Sequence, residues 1–365
     1  FFPARAVTDS FGEGAVAFLS TTVDATRNRV NLGALATEPE TLLRVVPEGP
    51  IGTALGPERL ISLDSAGAST QVNDLNRIFG LGETDNYVIR AEVLSGAALL
   101  YVSVLDGTAT FPGTSDPTTV QPVVGGSSKM TLLELGPVVG YDEFSGSASI
   151  TNLGEGSVTV SLAFHERGTP GLANSAQITL APGETVGHSE FVGSVFDRDG
   201  VGSVIVEGPA GSSLMATGRE FAILRDTEGE IVGTAGQAMP GDTDDDLLEP
   251  GRTYHLLGLK HLETEGGIER SHVAAFNPGN SRATVEVRLY DAVTGRLDGT
   301  SELRVRAGEL IQDNNIILDL VGIGDGSIKR IEVVTDRPIF LKGFRVNEDG
   351  DPVTIEPLPE EPPRG

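Results

Sequence analysis

Ala283-Thr284-Val285-Glu286-Val287-Arg288-Leu289-Tyr290 is apolar at every second position. Successive side chains of a strand point to opposite faces, so this alternation marks a β-strand with one face buried and one wet. It places Val285, Val287 and Leu289 inside and Glu286 and Arg288 in water. The pattern has counterparts upstream in Leu42–Val46 and Val158–Phe164, the latter putting Val158, Val160 and Leu162 inside. Each is preceded by a second apolar phrase: Arg29-Val30-Asn31-Leu32-Gly33-Ala34-Leu35-Ala36, then Ser147-Ala148-Ser149-Ile150-Thr151-Asn152, then Arg270-Ser271-His272-Val273-Ala274-Ala275-Phe276-Asn277.

The phrase thus recurs three times with a period of ~115 residues. A unit that long can close its own core, so it is a domain and not a solenoid turn. Composition agrees. Aromatics are 5%, Trp is absent and Gly contributes 47 of 365 residues, which leaves cores of Val, Leu, Ile and Ala between Gly-bearing turns. No long stretch sustains a helical period. The expected fold is all-β: three tandem antiparallel β-sandwiches of Ig-like or Greek-key type, over 1–125, 128–240 and 250–358, with a Pro-rich tail at 359–365.

Within each copy the reading runs from an opening strand (Phe1–Val7, Met130–Leu135, Tyr254–Leu259) to a Gly-acid corner such as Ala181-Pro182-Gly183-Glu184. A closing pair of strands follows, taken as a hairpin: Tyr87–Val93 with Leu99–Val104, Ser203–Val206 with Leu214–Gly218, and Ile328–Val334 with Ile339–Phe344. Gly125-Gly126-Ser127-Ser128 and the acidic run from Pro240 to Gly251 read as linkers between beads on a string. Glu356–Pro363 reads as extended polyproline-like chain.

Phe1-Phe2-Pro3, Asn277-Pro278-Gly279, Ala283–Val287 and Ala181-Pro182-Gly183-Glu184 together resemble the tandem β-sandwich repeats of large secreted and surface proteins of bacteria. Copy one departs from that pattern with Ala36 in place of Asn, and copy two with Ser145 in place of Arg. The resemblance implies adhesive or architectural modules and brings no active-site residues with it.

The net charge of −26 disfavours nucleic acid, whose binding rests on Lys and Arg, and disfavours anionic membrane surfaces. No apolar run approaches the ~20 residues of a membrane-spanning helix. The absence of Cys removes disulfides, thiolate metal sites and Cys nucleophiles. The start at Phe1, without Met or a basic leader, is expected of an exported, processed chain.

Candidate chemistry is sparse. The five histidines do not recur at equivalent repeat positions, and no Ser sits in a nucleophile elbow, so an enzyme is not expected. Alternating carboxylates can present several oxygens to one Ca²⁺, which makes Asp242, Asp244 and Asp246 the best calcium candidates; no other cofactor is implied. Asp197-Arg198-Asp199-Gly200 and Asn347–Asp351 are weaker versions, and Asp349-Gly350 also reads as a hairpin turn. Tyr87, Tyr101, Tyr141, Tyr254 and Tyr290 are candidates for stacking carbohydrate. Arg29 and Arg270 hold one repeat position and suit either a carboxylate ligand or an acid of the protein itself. Phe1, Phe2 and Val7 at one end, and Pro357 and Pro359 at the other, could join neighbouring copies through unpaired sheet edges. The expectation is a non-catalytic extracellular or cell-surface structural protein that polymerises with itself; an adhesion module binding carbohydrate or calcium is the alternative.

Overall fold

In the computed structural model, residues 9–360 are described except 22–23, 50–52, 109–112, 115–116, 140–142, 266, 323, 325 and 349. Among the described residues strand makes up 57% and helix 6%, in antiparallel sheets that do not close into barrels. Six sheets pair into three sandwiches, as the alternation predicts. Val285, Val287 and Leu289 are fully buried, as are Val158, Val160 and Leu162, while Glu286 is exposed and Arg288 half-buried on the opposite face.

One sheet of each sandwich has the same four-strand order. In the first it runs Val16–Ser20, Val88–Ser95, Thr41–Glu48, Arg59–Leu63; in the second Lys129–Leu135, Gly202–Glu207, Val158–Glu166, Asn174–Leu180. In the third it runs Thr253–Leu259, Lys329–Thr335, Ala283–Asp291, Leu297–Val305. The opening strand of the first copy is therefore Val16–Ser20. The expected strand Phe1–Val7 lies outside the described residues.

The facing sheets centre on Asn28–Ala36 with Ala97–Asp106, Glu143–Asn152 with Leu214–Arg225, and Gly267–Phe276 with Phe340–Val346. This corrects the closing hairpins. Val88–Ser95 and Ala97–Asp106 belong to opposite sheets, and so do Gly202–Glu207 and Leu214–Arg225, and Lys329–Thr335 and Phe340–Val346. Each short turn arches over the core instead of folding a strand back on its neighbour. Two apolar strands separated by Gly look alike in either arrangement; which sheet has room for the second strand decides.

The repeat is pinned by a corner that pattern alone suggested. Asn152 Nδ2 donates to the carbonyls of Gly156, Leu180 and Ala181, and its Oδ1 accepts from the Gly154 amide. Asn277 does the same with the Ser281 and Val305 carbonyls and the Gly279 amide. The following Glu184 and Glu309 accept from the amides of Ala181 and Arg306, each at 2.7 Å. Ala36 keeps the backbone part of this corner through Ala68 and Gly67 but has no side-chain amide to add.

The tail also differs from expectation. Pro352–Ile355 extends one sheet of the third sandwich, and Leu358–Pro359 adds to the edge strand Thr253–Leu259 of the other. Pro357 and Pro359 are thus held by their own sandwich, because that edge offers unpaired backbone groups within reach. Among the described residues no helix is long and apolar enough to cross a membrane.

Candidate functional site

The sandwiches are packed against one another, so beads on flexible string does not describe them. Gly125–Ser128 is built in: Ser127 exchanges backbone hydrogen bonds with Leu214, and Gly208 donates to the Ser128 carbonyl. Asp242 exchanges backbone hydrogen bonds with Thr131. The two junctions that result are chemically unlike.

The first junction is polar. Ser145, Ser147 and Ser149 alternate on the outer face of Glu143–Asn152, yet all three are buried beneath the first sandwich. Ser149 bonds Ser20 at 2.8 Å, Thr118 donates to the Gly236 carbonyl, and the Thr234 amide donates to Asp106. Between them lies a cavity of about 390 Å³ lined by hydroxyls, Asp106 and Arg219 together with Val104, Val120, Phe221, Ile223 and Ile231.

The second junction is an apolar core of its own. Leu133, Ile205 and Met239 of the second sandwich meet Ala274, Phe276, Leu310, Phe340 and Phe344 of the third. A smaller cluster joins Phe144 and Ala222 to Val346. Backbone bonds cross it as well, from Gly168 to the Leu310 carbonyl and from Gly171 to that of Ala307.

Ionisable groups are buried in that second junction. His272 Nε2 lies 3.1 Å from Glu134 Oε2, and its ring stacks on Phe344 at 4.7 Å. Glu134 is 1% exposed. Glu220 is buried beside it; burial, then the Glu134 charge, push its carboxyl well above the usual carboxylate range against the pull of Arg167 and Arg270. A cavity of about 430 Å³ opens here, lined by Arg167, Glu220, His261, Arg270, His272 and Gln312. Arg270 is thus near an acid of the protein, whereas its repeat partner Arg29 is exposed. Sequence reading flagged Arg270 but missed Glu134, Glu220 and His272 as a group, since they come from three separate strands.

The calcium candidates do not converge. Asp242 is buried and pairs with Lys342 at 2.8 Å, Asp244 reaches Lys129 at 3.2 Å, and Asp246 caps Thr243. Among the described residues no group of three or more His, Asp or Glu is placed to hold a metal. Asp197 ends a short helix in a left-handed conformation, and Asn347 braces a hairpin turn by accepting from the Asp351 amide. Nor do the tyrosines form a platform. Tyr87 and Tyr254 are buried, Tyr101 lies over Gly33, Tyr290 lies beneath Arg330, and Tyr141 is outside the described residues. Where the three sandwiches meet, a cleft of about 780 Å³ is walled by Pro240, Leu247, Tyr254, Pro352 and Pro357, with Asp242, Asp245 and Glu249 among its carboxylates.

No family model matches this chain, and no curated protein does. Among solved structures, the native conformation of E. coli alpha-2-macroglobulin aligns with 94% of this chain at 8% identity and a TM-score of 0.14. The chain spans 22% of that protein's length. A likeness of that size carries no argument. The class is defined by the sheets themselves: an all-β chain of tandem antiparallel sandwiches.

Proposed function

We propose that the chain is a non-catalytic structural protein of the cell surface or extracellular space that assembles with copies of itself. The observation that carries this reading is the apolar core shared by the second and third sandwiches. A shared core couples neighbouring modules into one block, which suits a structural strut.

Self-association draws support from equivalent edges. Arg59–Leu63, Asn174–Leu180 and Leu297–Val305 end their sheets at the same repeat position, and Leu60 and Leu297 are exposed on two of them. An open edge accepts a strand or another edge. Because Leu358–Pro359 already covers an edge of its own sandwich, these three are the better sites for contact than the tail. Phe1, Phe2 and Val7 remain candidates to supply a strand.

Sedimentation across concentration, with electron microscopy of the same samples, tests the reading. Assembly that is lost on Leu60→Lys with Leu297→Lys supports it; a single-subunit mass at the highest soluble concentration overturns it. The adhesion alternative rests on the cleft among the three sandwiches, whose carboxylates suit a cationic ligand.

A further inference from the structure

The bulge that carries Glu134 has a twin. The strand Lys129–Leu135 breaks register against Gly202–Glu207 between Leu132 and Leu135, and Thr253–Leu259 breaks register against Lys329–Thr335 between Leu257 and Leu259. In the third sandwich the residue in the bulge is Gly258, at φ 87°. In the second it is Glu134, at φ 50°. Left-handed backbone suits Gly and costs other residues on the order of 1–2 kcal/mol. The second sandwich thus keeps a strained, charged residue where its twin keeps the unstrained one.

Glu134 is also turned into the junction with the third sandwich. Its Oε2 meets His272, and its Oε1 is buried without a hydrogen-bond partner. Glu220, on the strand Leu214–Arg225, is the second carboxylate there, and its Oε2 is likewise buried and unpartnered. The charges facing this pair are Arg167 on the second sandwich and Arg270 and His272 on the third. Asp313 faces His272 from the neighbouring strand Leu310–Asp313, and His261 and Glu263 close the far side of the cavity.

We propose that Glu220, buried beside the Glu134 charge, is a proton-dependent latch: a proton on Glu220 favours closure of the second and third sandwiches on each other, and its loss loosens their junction. Two carboxylates buried side by side cannot both ionise cheaply, because each lacks the water that would screen the other. Parting the junction returns water to Glu220 and restores an ordinary carboxyl. The closed form therefore binds more protons than the parted one above the normal carboxyl range. The sign follows: closure is favoured at mildly acid pH and weakens as pH rises through the titration of Glu220 in the closed form.

The 365-residue chain allows a clean test because it has no Cys. Cysteines introduced at exposed Ser175 and Glu302 would carry a donor and acceptor pair reporting the separation of the two sandwiches. Transfer efficiency in the otherwise unaltered chain is expected to fall as pH rises above the ordinary carboxyl range. Glu220→Gln is expected to hold the acid-pH value throughout. Glu134→Gly, which puts in the bulge the residue its twin already uses, is expected to fold and to weaken the pH response, because it removes the second charge but not the burial of Glu220. Efficiency that is level with pH before any substitution, or a pH response that survives in Glu220→Gln, overturns the latch.

Discussion

Asp242 Oδ1 lies 2.8 Å from Lys342 Nζ, and both side chains are almost wholly buried. This ion pair fastens the segment leaving the second sandwich to a strand of the third. Burial pushes the Asp242 carboxyl up to about 7 despite Lys342. Burial also opposes the Lys342 ammonium, yet Asp242 and Glu356 together raise its pKa. Lys342, with two carboxylates, is the partner that stays charged, and proton exchange falls on Asp242.

A carboxyl raised in the folded state makes folding bind a proton that the unfolded chain releases. Stability from Asp242 is therefore full near pH 4 and is lost as pH rises toward about 7. Denaturant titration of the second and third sandwiches should show a loss on the order of 2–4 kcal/mol across that window. Asp242→Asn should flatten it.

Lys342→Met leaves Asp242 buried with no cation. At about pH 8 the cost should be on the order of 3 kcal/mol, and near pH 5 clearly less, because Asp242 can then take up a proton. Equal losses at both pH values would mean that Asp242 is not the titrating partner.

Asn277→Ala removes two bonds to carbonyls and one from an amide. Thermal or chemical unfolding should register a loss of about 2–3 kcal/mol, with Asn152→Ala alike. Ala36→Asn, at the matching corner of the first sandwich, tests whether the side chain can be added back.

Leu289→Ala should cost about 2–4 kcal/mol and Glu286→Ala less than about 0.5, although the two are three residues apart on one strand. The contrast reads the register directly.

Gly126→Ala separates a built junction from a flexible linker. A Cβ at Gly126 would lie 2.6 Å from the Leu214 nitrogen and 2.7 Å from its oxygen. Overpacking against backbone should cost about 1–3 kcal/mol, whereas a free linker would tolerate the methyl without loss.

The strands and their inward faces were legible because a period of two is a local property: Val285 and Glu286 declare their sides without reference to the rest of the chain. Pairing is not local. Val88–Ser95 and Ala97–Asp106 carry the same apolar signal whether they fold back on each other or arch between sheets. The junctions were hidden for a related reason, since Leu133, Phe276 and Phe344 look like interior residues and nothing nearby says that their interior lies between sandwiches. One clue was available. Aligning Leu132-Leu133-Glu134-Leu135 on Leu256-Leu257-Gly258-Leu259 sets Glu against Gly, a substitution that backbone geometry does not favour.

The unlike junctions mean that tension along the chain meets two fasteners in series. The serine-lined contact of the first sandwich can trade its hydrogen bonds for water, while the contact around Phe276 and Phe344 must expose hydrocarbon to open. Under load the first sandwich should swing free before the other two part, so the chain carries a built-in order of yielding.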